Sequence, residues 1–390
     1  MKQSVIFSDN LEHDLQLQIE ACKPDRLFVL TDENTRTHCW PVVSGFGCLQ
    51  EAGLITIPAG DDNKNLDSLS HVWQQLQQGG ATRHSLLVCL GGGMLTDLGG
   101  FAASTFKRGI SFVNIPTTLL AMVDASVGGK TGINFGGLKN EVGVFSEAEA
   151  VIIDTQFLLT LDSENLLSGY AEMLKHGLIS DTDHWAELLR YAEKLGMPDN
   201  PDIPDFPGFP GHPGHPGHPE VSEKPAVPPR PANLQALAPL LQKNVAVKER
   251  VVAADPHEQG LRKALNLGHT FGHALEEWSY GPGKQRGFSP LLHGYAVAHG
   301  LVCELYLSAL KCGFPTTRLR QTVAFIRSHY GTCGITCHDY PTLLSLMAHD
   351  KKNVAGTINF TLLADIGDLR LNQSATDEEI CEALDFLREG

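Results

Sequence analysis

Three consecutive glycines, Gly91-Gly92-Gly93, close the apolar run Ser85–Leu90 and lead into Met94-Leu95-Thr96-Asp97. A strand ending in glycines can turn sharply and leave backbone amides facing outward, which suits the close approach of a pyrophosphate. The triplet is not G-x-G-x-x-G, so the standard dinucleotide fingerprint is absent. A tight strand-to-helix turn explains the glycines equally, and Asp97 equally reads as a helix-start residue. Further on, Val123-Asp124-Ala125-Ser126-Val127-Gly128-Gly129-Lys130-Thr131 forms a polar loop carrying an acid and a lysine. It is not a P-loop, because Asp124 stands where that motif needs its first glycine.

The pattern around these motifs alternates. Short apolar runs at Arg26–Thr31, Leu54–Ile57, Ser85–Leu90, Ser111–Ile115 and Ala150–Asp154 read as strands, and Leu66–Gln78 has helical spacing. Strands alternating with helices imply an α/β fold with a largely parallel sheet. From about 160 the pattern becomes helical: Glu164–Ile179, Asp183–Lys194, Leu234–Val251, Lys263–Trp278, His293–Leu310, Thr316–His329 and Tyr340–His349, with one strand-like stretch at Thr357–Leu363. The expected division is an α/β domain over 1–160 and a mainly helical domain over 161–390. A Pro/Gly/His-rich insertion at about 196–232 interrupts the second domain, and its Gly-His-Pro repeats are too few for a collagen helix. His212, His215 and His218 within it are read as loop residues.

The chain carries a formal charge of −15, which argues against nucleic acid, whose binding needs a basic face. An anionic small molecule remains compatible, since a local Lys/Arg cluster can bind one in an acidic protein. Nine scattered cysteines without a C-x-x-C pair suggest reduced thiols. No run approaches membrane-span length and the start lacks an apolar signal core, so a cytoplasmic protein is expected.

Chemistry-bearing residues cluster in three further places. Gly169-Tyr170-Ala171-Glu172-Met173-Leu174-Lys175-His176 puts an acid and a lysine one turn apart, which alone reads as an ordinary helix-surface ion pair. Arg262-Lys263-Ala264-Leu265-Asn266-Leu267-Gly268-His269-Thr270-Phe271-Gly272-His273 places His269 and His273 on one helical face, with Arg262 and Asn266 on a similar face earlier. Leu291-Leu292-His293-Gly294 puts an imidazole where a helix begins. Any one of these histidines reads as structural. Glu172, His269 and His293 together form a carboxylate-plus-two-imidazole set, which leaves the open coordination positions a catalytic zinc needs.

Taken together, Gly91–Asp97, Pro116-Thr117-Thr118-Leu119-Leu120, Val123–Thr131, Gly136–Gly143, Gly169–Gly177, Arg262–Glu276 and the His293-Gly294 helix start resemble the 3-dehydroquinate synthase family of sugar-phosphate cyclases. The resemblance runs nearly end to end apart from the insertion. It implies a Rossmann-like NAD-binding domain followed by a mainly α-helical metal- and substrate-binding domain. NAD would contact Asp32, Asp61, Lys64, Gly91, Gly92, Gly93, Asp97, Thr117 and Thr118. A divalent metal, zinc or cobalt, would be held by Glu172, His269 and His293. The substrate, 3-deoxy-D-arabino-heptulosonate 7-phosphate, would meet Asp124, Lys130, Lys139, Asn140, Lys175, Lys248, Arg262, Asn266, His273 and Lys351. Of these, Lys130, Lys175, Arg262, Asn266 and His273, with Glu172, would carry the catalysis. Arg108 matches a family arginine that reaches the neighbouring subunit's site, which implies a homodimer. The implied sequence is oxidation, phosphate elimination, reduction, ring opening and intramolecular aldol closure to 3-dehydroquinate, on the shikimate route to chorismate and aromatic amino acids. Tyr295 departs from the family, where a Glu is common at that place, and this bears on what surrounds His293. A sister cyclase or an NAD- and metal-dependent polyol-phosphate dehydrogenase are the competing readings. The first would lack the substrate carboxylate that Arg262 and Asn266 suit. The second would need fewer anion-binding positions.

Overall fold

The computed structural model describes residues 3–194, 234–348 and 358–389. Lys351, His349, Thr357 and the Pro/Gly/His-rich insertion lie outside the described residues.

Six strands form one fully parallel sheet: β1 (Ser4–Phe7), β2 (Leu27–Asp32), β3 (Gly53–Ile57), β4 (Leu86–Gly91), β5 (Ser111–Pro116) and, after the hairpin described below, β8 (Ala150–Ile153). Their order is β1-β8-β5-β4-β2-β3. Alternate residues of the central strands face opposite sides. Val29, Val88 and Val113 join the larger apolar cluster, while Phe28, Leu30, Leu87 and Cys89 join the smaller one. Helices cover both faces, as an all-parallel sheet requires. In the N-terminal part these are α1 (Leu11–Cys22), α2 (Glu33–His38), α3 (Trp40–Val43), α4 (Leu66–Gln78) and α5 (Gly93–Thr105).

The second part is helical: α6 (Ser163–Ser180), α7 (Thr182–Lys194), α8 (Leu234–Ala254), α9 (His269–Trp278), α10 (His293–Cys312), α11 (Thr316–Tyr330), α12 (Tyr340–Ala348) and α13 (Asp377–Glu389). An antiparallel pair, β9 (Asn359–Asp365) and β10 (Asp368–Ser374), accompanies them. Asp162 starts α6 by accepting the Asn165 N–H at 2.7 Å. From Leu166 to Ile179 every residue of α6 is buried, so it is a central helix enclosed on all sides. The larger cluster runs from the sheet through α6 to Leu301 and Leu305 of α10 without a break.

The structure corrects the sequence reading in four places. β1 and α1 precede the first expected strand, and β10 and α13 follow the last one. The polar stretch after Gly129 is a hairpin, β6 (Lys130–Phe135) and β7 (Leu138–Phe145), whose second strand is exposed throughout. Hydrophobic periodicity missed it because neither face of β7 is buried. Lys263–Trp278 is not one helix. A short tight helix, Leu261–Asn266, is broken from α9 at Gly268, whose φ is +80° and where a Cβ would lie 2.8 Å from Leu301. Arg262 and Asn266 therefore do not continue the face of His269. Finally, Asp97 lies inside α5, which starts at Gly93.

Candidate active site

The glycine triplet ends β4 and opens α5. None of the three has a positive φ, so it is close approach, not an unusual turn, that excludes a side chain here. A Cβ would lie 2.9 Å from Leu95 at Gly91, 3.0 Å from Thr118 at Gly92 and 3.0 Å from Ala125 at Gly93. No side chain caps α5, which leaves its first N–H groups open toward the carboxyl edge of the sheet. Thr117 follows β5 on the same edge and donates its N–H to the Gly91 carbonyl at 3.0 Å, with Thr118 beside Gly92. Asp32 ends β2 on that edge and caps α2, accepting the Thr35 N–H at 2.8 Å.

On the far side of α5, Lys64 is buried. It pairs with Asp97 at 2.5 Å and donates to the side-chain oxygen of Asn140. The hairpin is tied to this loop. Asn134 donates its backbone N–H to the Lys64 carbonyl at 2.7 Å and its side chain to the Asp61 carbonyl at 3.1 Å. Asn134 also accepts the Asn140 N–H at 2.9 Å. Lys139, one residue earlier on β7, lies 3.0 Å from Asp61 and 2.5 Å from Glu276.

Three side chains remote in sequence meet where the two parts join. Ligand-capable atoms of Glu172 on α6, His269 at the start of α9 and His293 at the start of α10 lie within 4.8 Å of one another. Glu172 Oε1 is 3.5 Å from His269 Nε2 and 3.3 Å from His293 Nε2, is fully buried, and has no hydrogen-bond partner. The other nitrogen of each imidazole is engaged. His269 Nδ1 is 3.1 Å from the Leu267 carbonyl, and His293 Nδ1 is 3.0 Å from Glu276 Oε2. Both Nε2 atoms are thereby turned toward the carboxylate. An orphaned buried carboxylate oxygen facing two imidazole nitrogens is a donor set that a divalent cation fits. Burial alone would push the His293 imidazole down, but Glu276 and Glu172 on either side reverse this and push it up to about 10. Burial would likewise raise the Glu172 carboxyl, yet Lys175 and His269 hold it well below the ordinary carboxylate range. His273 packs against both, its ring centre 5.3 Å from that of His269 and 5.9 Å from that of His293.

A second carboxylate balances the buried charge. Lys175, fully buried on α6, lies 2.5 Å from Glu172 and 3.3 Å from Asp124. The pair is thus not on a helix surface. Lys248 on α8 reaches Asp124 through both its carboxylate and its carbonyl. Burial would raise the Asp124 carboxyl, but the two ammonium groups hold it far below its usual value. Gly128 and Gly129 follow with φ of +97° and +68°, a region that favours glycine. Arg262 is 1% exposed and spends two donors on the Pro256 and Gly128 carbonyls at 2.7 and 2.9 Å, which fixes the glycine loop. Lys130 and Asn266 converge on Glu258, a residue that no motif marked. Lys130 pairs with one carboxylate oxygen, and Asn266 donates to the other at 2.7 Å.

Two further carboxylates escaped the sequence reading. Glu276 supports His293, and Glu304 of α10, fully buried, accepts the N–H groups of Gly268 and Thr270 at 2.7 and 3.1 Å, bracketing His269. A charged residue inside an apolar helical face was the available signal. Tyr295 does not touch the centre. Its ring packs edge-on against Tyr330 at 5.2 Å, so Glu276, not residue 295, serves His293. Arg108 is exposed, at a φ of +68° next to Lys107 at +49°.

A parallel α/β sheet joined to a helical part, with a carboxylate and two imidazoles at the junction, is the architecture of this chain, and two solved structures share the fold. One is 2-epi-5-epi-valiolone synthase from Streptomyces hygroscopicus subsp. jinggangensis, solved with NAD+ and Zn2+ (TM-score 0.81, 24% identity, 99% of this chain and 97% of that one). The other is 2-deoxy-scyllo-inosose synthase, solved with carbaglucose-6-phosphate, NAD+ and Co2+ (TM-score 0.77, 20% identity, 99% and 96% covered). Sequence models of the 3-dehydroquinate synthase N-terminal and C-terminal parts match residues 54–168 and 222–353. A 3-dehydroquinate synthase of Parabacteroides distasonis is 49% identical over 388 residues, covering all of this chain and 98% of the relative. The chain belongs to the 3-dehydroquinate synthase family, which are carbon–oxygen lyases.

Proposed function

We propose that this chain converts 3-deoxy-D-arabino-heptulosonate 7-phosphate to 3-dehydroquinate and phosphate, using NAD and one divalent cation, zinc or cobalt. The observation that carries this reading is the convergence of Glu172, His269 and the partly exposed His293 beside the Lys175–Asp124–Lys248 network. Glu172, His269 and His293 would hold the cation. The dinucleotide would lie along the carboxyl edge of the sheet, against Gly91 to Gly93, Thr117 and Thr118, with Asp32, Asp61, Lys64 and Asp97 around it. When bound, the cation polarises the oxygen of the reacting hydroxyl and NAD takes up and returns a hydride.

The residues of the chain do the positioning. Asp124, held ionised by Lys175 and Lys248, accepts hydrogen bonds from substrate hydroxyls. Lys130 and Asn266 already grip the Glu258 carboxylate. An anionic group of the substrate would take that carboxylate's place. Arg262, Lys139, Asn140, His273 and Lys351 add the donors a doubly anionic substrate requires, and such fixed donors act most strongly where water is excluded. Lys175, between two carboxylates, keeps its proton and orients both. The product would feed the shikimate route to chorismate and aromatic amino acids.

The α/β part over 1–160 and the helical part over 161–390 would act as the two walls of the cleft. Arg108, exposed on a strained turn, suits an arm reaching a second copy, so we read the working form as a homodimer. All nine cysteines are free, which fits the reducing cytoplasm. Among the described residues no helix is long and apolar enough to cross a membrane.

The test is phosphate release from the heptulosonate phosphate with catalytic NAD. Release should far exceed the NAD added, with no net NADH, and should stop with a chelator. Net NADH formation would mean a dehydrogenase. Turnover of sedoheptulose 7-phosphate in place of the heptulosonate would mean a sister cyclase.

A further inference from the structure

His293 is the most exposed of the three cation-facing side chains, at 31% against 10% for His269 and 0% for Glu172. It begins α10, and no side chain caps that helix. The rings of His269 and His273 flank its imidazole, and a partner on its other nitrogen must fix which edge faces Glu172. Glu276 does so, with Oε2 3.0 Å from Nδ1. It reaches across from the last turn of α9, and its side chain is 4% exposed. A carboxylate here accepts a hydrogen bond from Nδ1–H, which leaves the Nε2 lone pair directed at Glu172.

Glu276 is itself held. Its Oε1 is 2.5 Å from Lys139 Nζ, and that ammonium also lies 3.0 Å from Asp61 Oδ2. Lys139 sits over the Tyr280 ring as well, 5.0 Å from its centre. Asp61 follows β3 of the sheet and Lys139 is on β7 of the hairpin, while Glu276 and His293 belong to the helical part. One lysine therefore clamps an acid from each side of the cleft.

We propose that Glu276 is a positioning residue for the cation centre, and that Lys139 fixes it by tying it to Asp61 across the cleft. The chain of contacts runs Asp61–Lys139–Glu276–His293: the Lys139 ammonium serves the first two links, and Glu276 gives Oε1 to Lys139 and Oε2 to His293. The inference rests on the reading of Glu172, His269 and His293 as cation ligands. It adds an outer partner that decides how tightly the cation is kept.

The experiment uses the full chain, stripped of metal and without dinucleotide or substrate. Zinc affinity is measured by competition with a chelator, and the visible spectrum is recorded after loading with Co(II). Glu276→Gln should weaken zinc binding about 10- to 100-fold and change the cobalt band. The unfolding temperature of the stripped variant should match that of the stripped parent. Lys139→Met leaves Glu276 in place and should weaken zinc binding several-fold, which carries the test if the first variant does not fold. Both variants binding zinc as the parent does, with the parent's cobalt spectrum, would overturn the inference while leaving the cation site standing. A parent that binds no zinc and no cobalt would instead overturn the cation reading itself.

Discussion

Asp124 occupies a place where a carboxylate survives only because two ammonium groups face it. Buried ion pairs add little net stability, but breaking one by removing a partner is costly, because a charge is left without compensation. Asp124→Asn is therefore expected to destabilise the protein by about 3–5 kcal/mol. Urea denaturation checks this, and a loss below about 1 kcal/mol, the range of exposed pairs, would contradict it. At this scale the sequence was legible where a residue type is chemically rare in its setting. Glu172 and Lys175 stood out one helical turn apart, His269 and His273 on one helical face, and His293 where a helix begins. Glu258, Glu276 and Glu304 did not, because each acts through a partner that only folding brings near. Asp32 and Arg262 likewise have contacts that no motif announces, to the Thr35 N–H and to two backbone carbonyls.

Elements set the distances between those residues. α10 packs so closely on its neighbours that a Cβ at Gly300 would overlap the Gly268 carbonyl at the start of α9, and one at Gly294 would overlap the Ser168 carbonyl of α6. Gly300→Ala must push α10 away from the turn that carries His269. It is expected to cost about 1–3 kcal/mol, as overpacked cores do. Zinc affinity should fall with it. Thermal unfolding and chelator competition measure the two effects, and an unchanged affinity would show that this packing does not govern the centre. Leu66–Gln78, with one buried face, was readable from periodicity, and the central strands, buried on both faces, from their short apolar runs. The hairpin was not, since an exposed strand has no apolar alternation. Nor was the break at Gly268, where a glycine in an apolar pattern is normally tolerated.

The whole molecule titrates as one object. Burial holds the His176 imidazole down to about 3 and that of His299 to about 4, both at 1% exposure or less. In the unfolded chain each takes a proton near pH 6.5. Below that pH the unfolded state binds more protons than the folded one, so stability falls as pH drops from about 6.5 toward 4. Each such proton contributes a slope of up to about 1.4 kcal/mol per pH unit. Denaturation of the metal-stripped protein at pH 7 and pH 5 should show this loss, and His299→Gln should reduce it. Equal stability at both pH values would contradict it.

The proposed chemistry centres on one cation shared by Glu172, His269 and His293. Anomalous scattering from crystals loaded with zinc locates it most directly. The expected result is a single strong peak about 2.0–2.2 Å from a Glu172 oxygen and from Nε2 of each histidine, absent in His269→Ala. A peak elsewhere, or one that persists undiminished in that variant, would contradict the assignment.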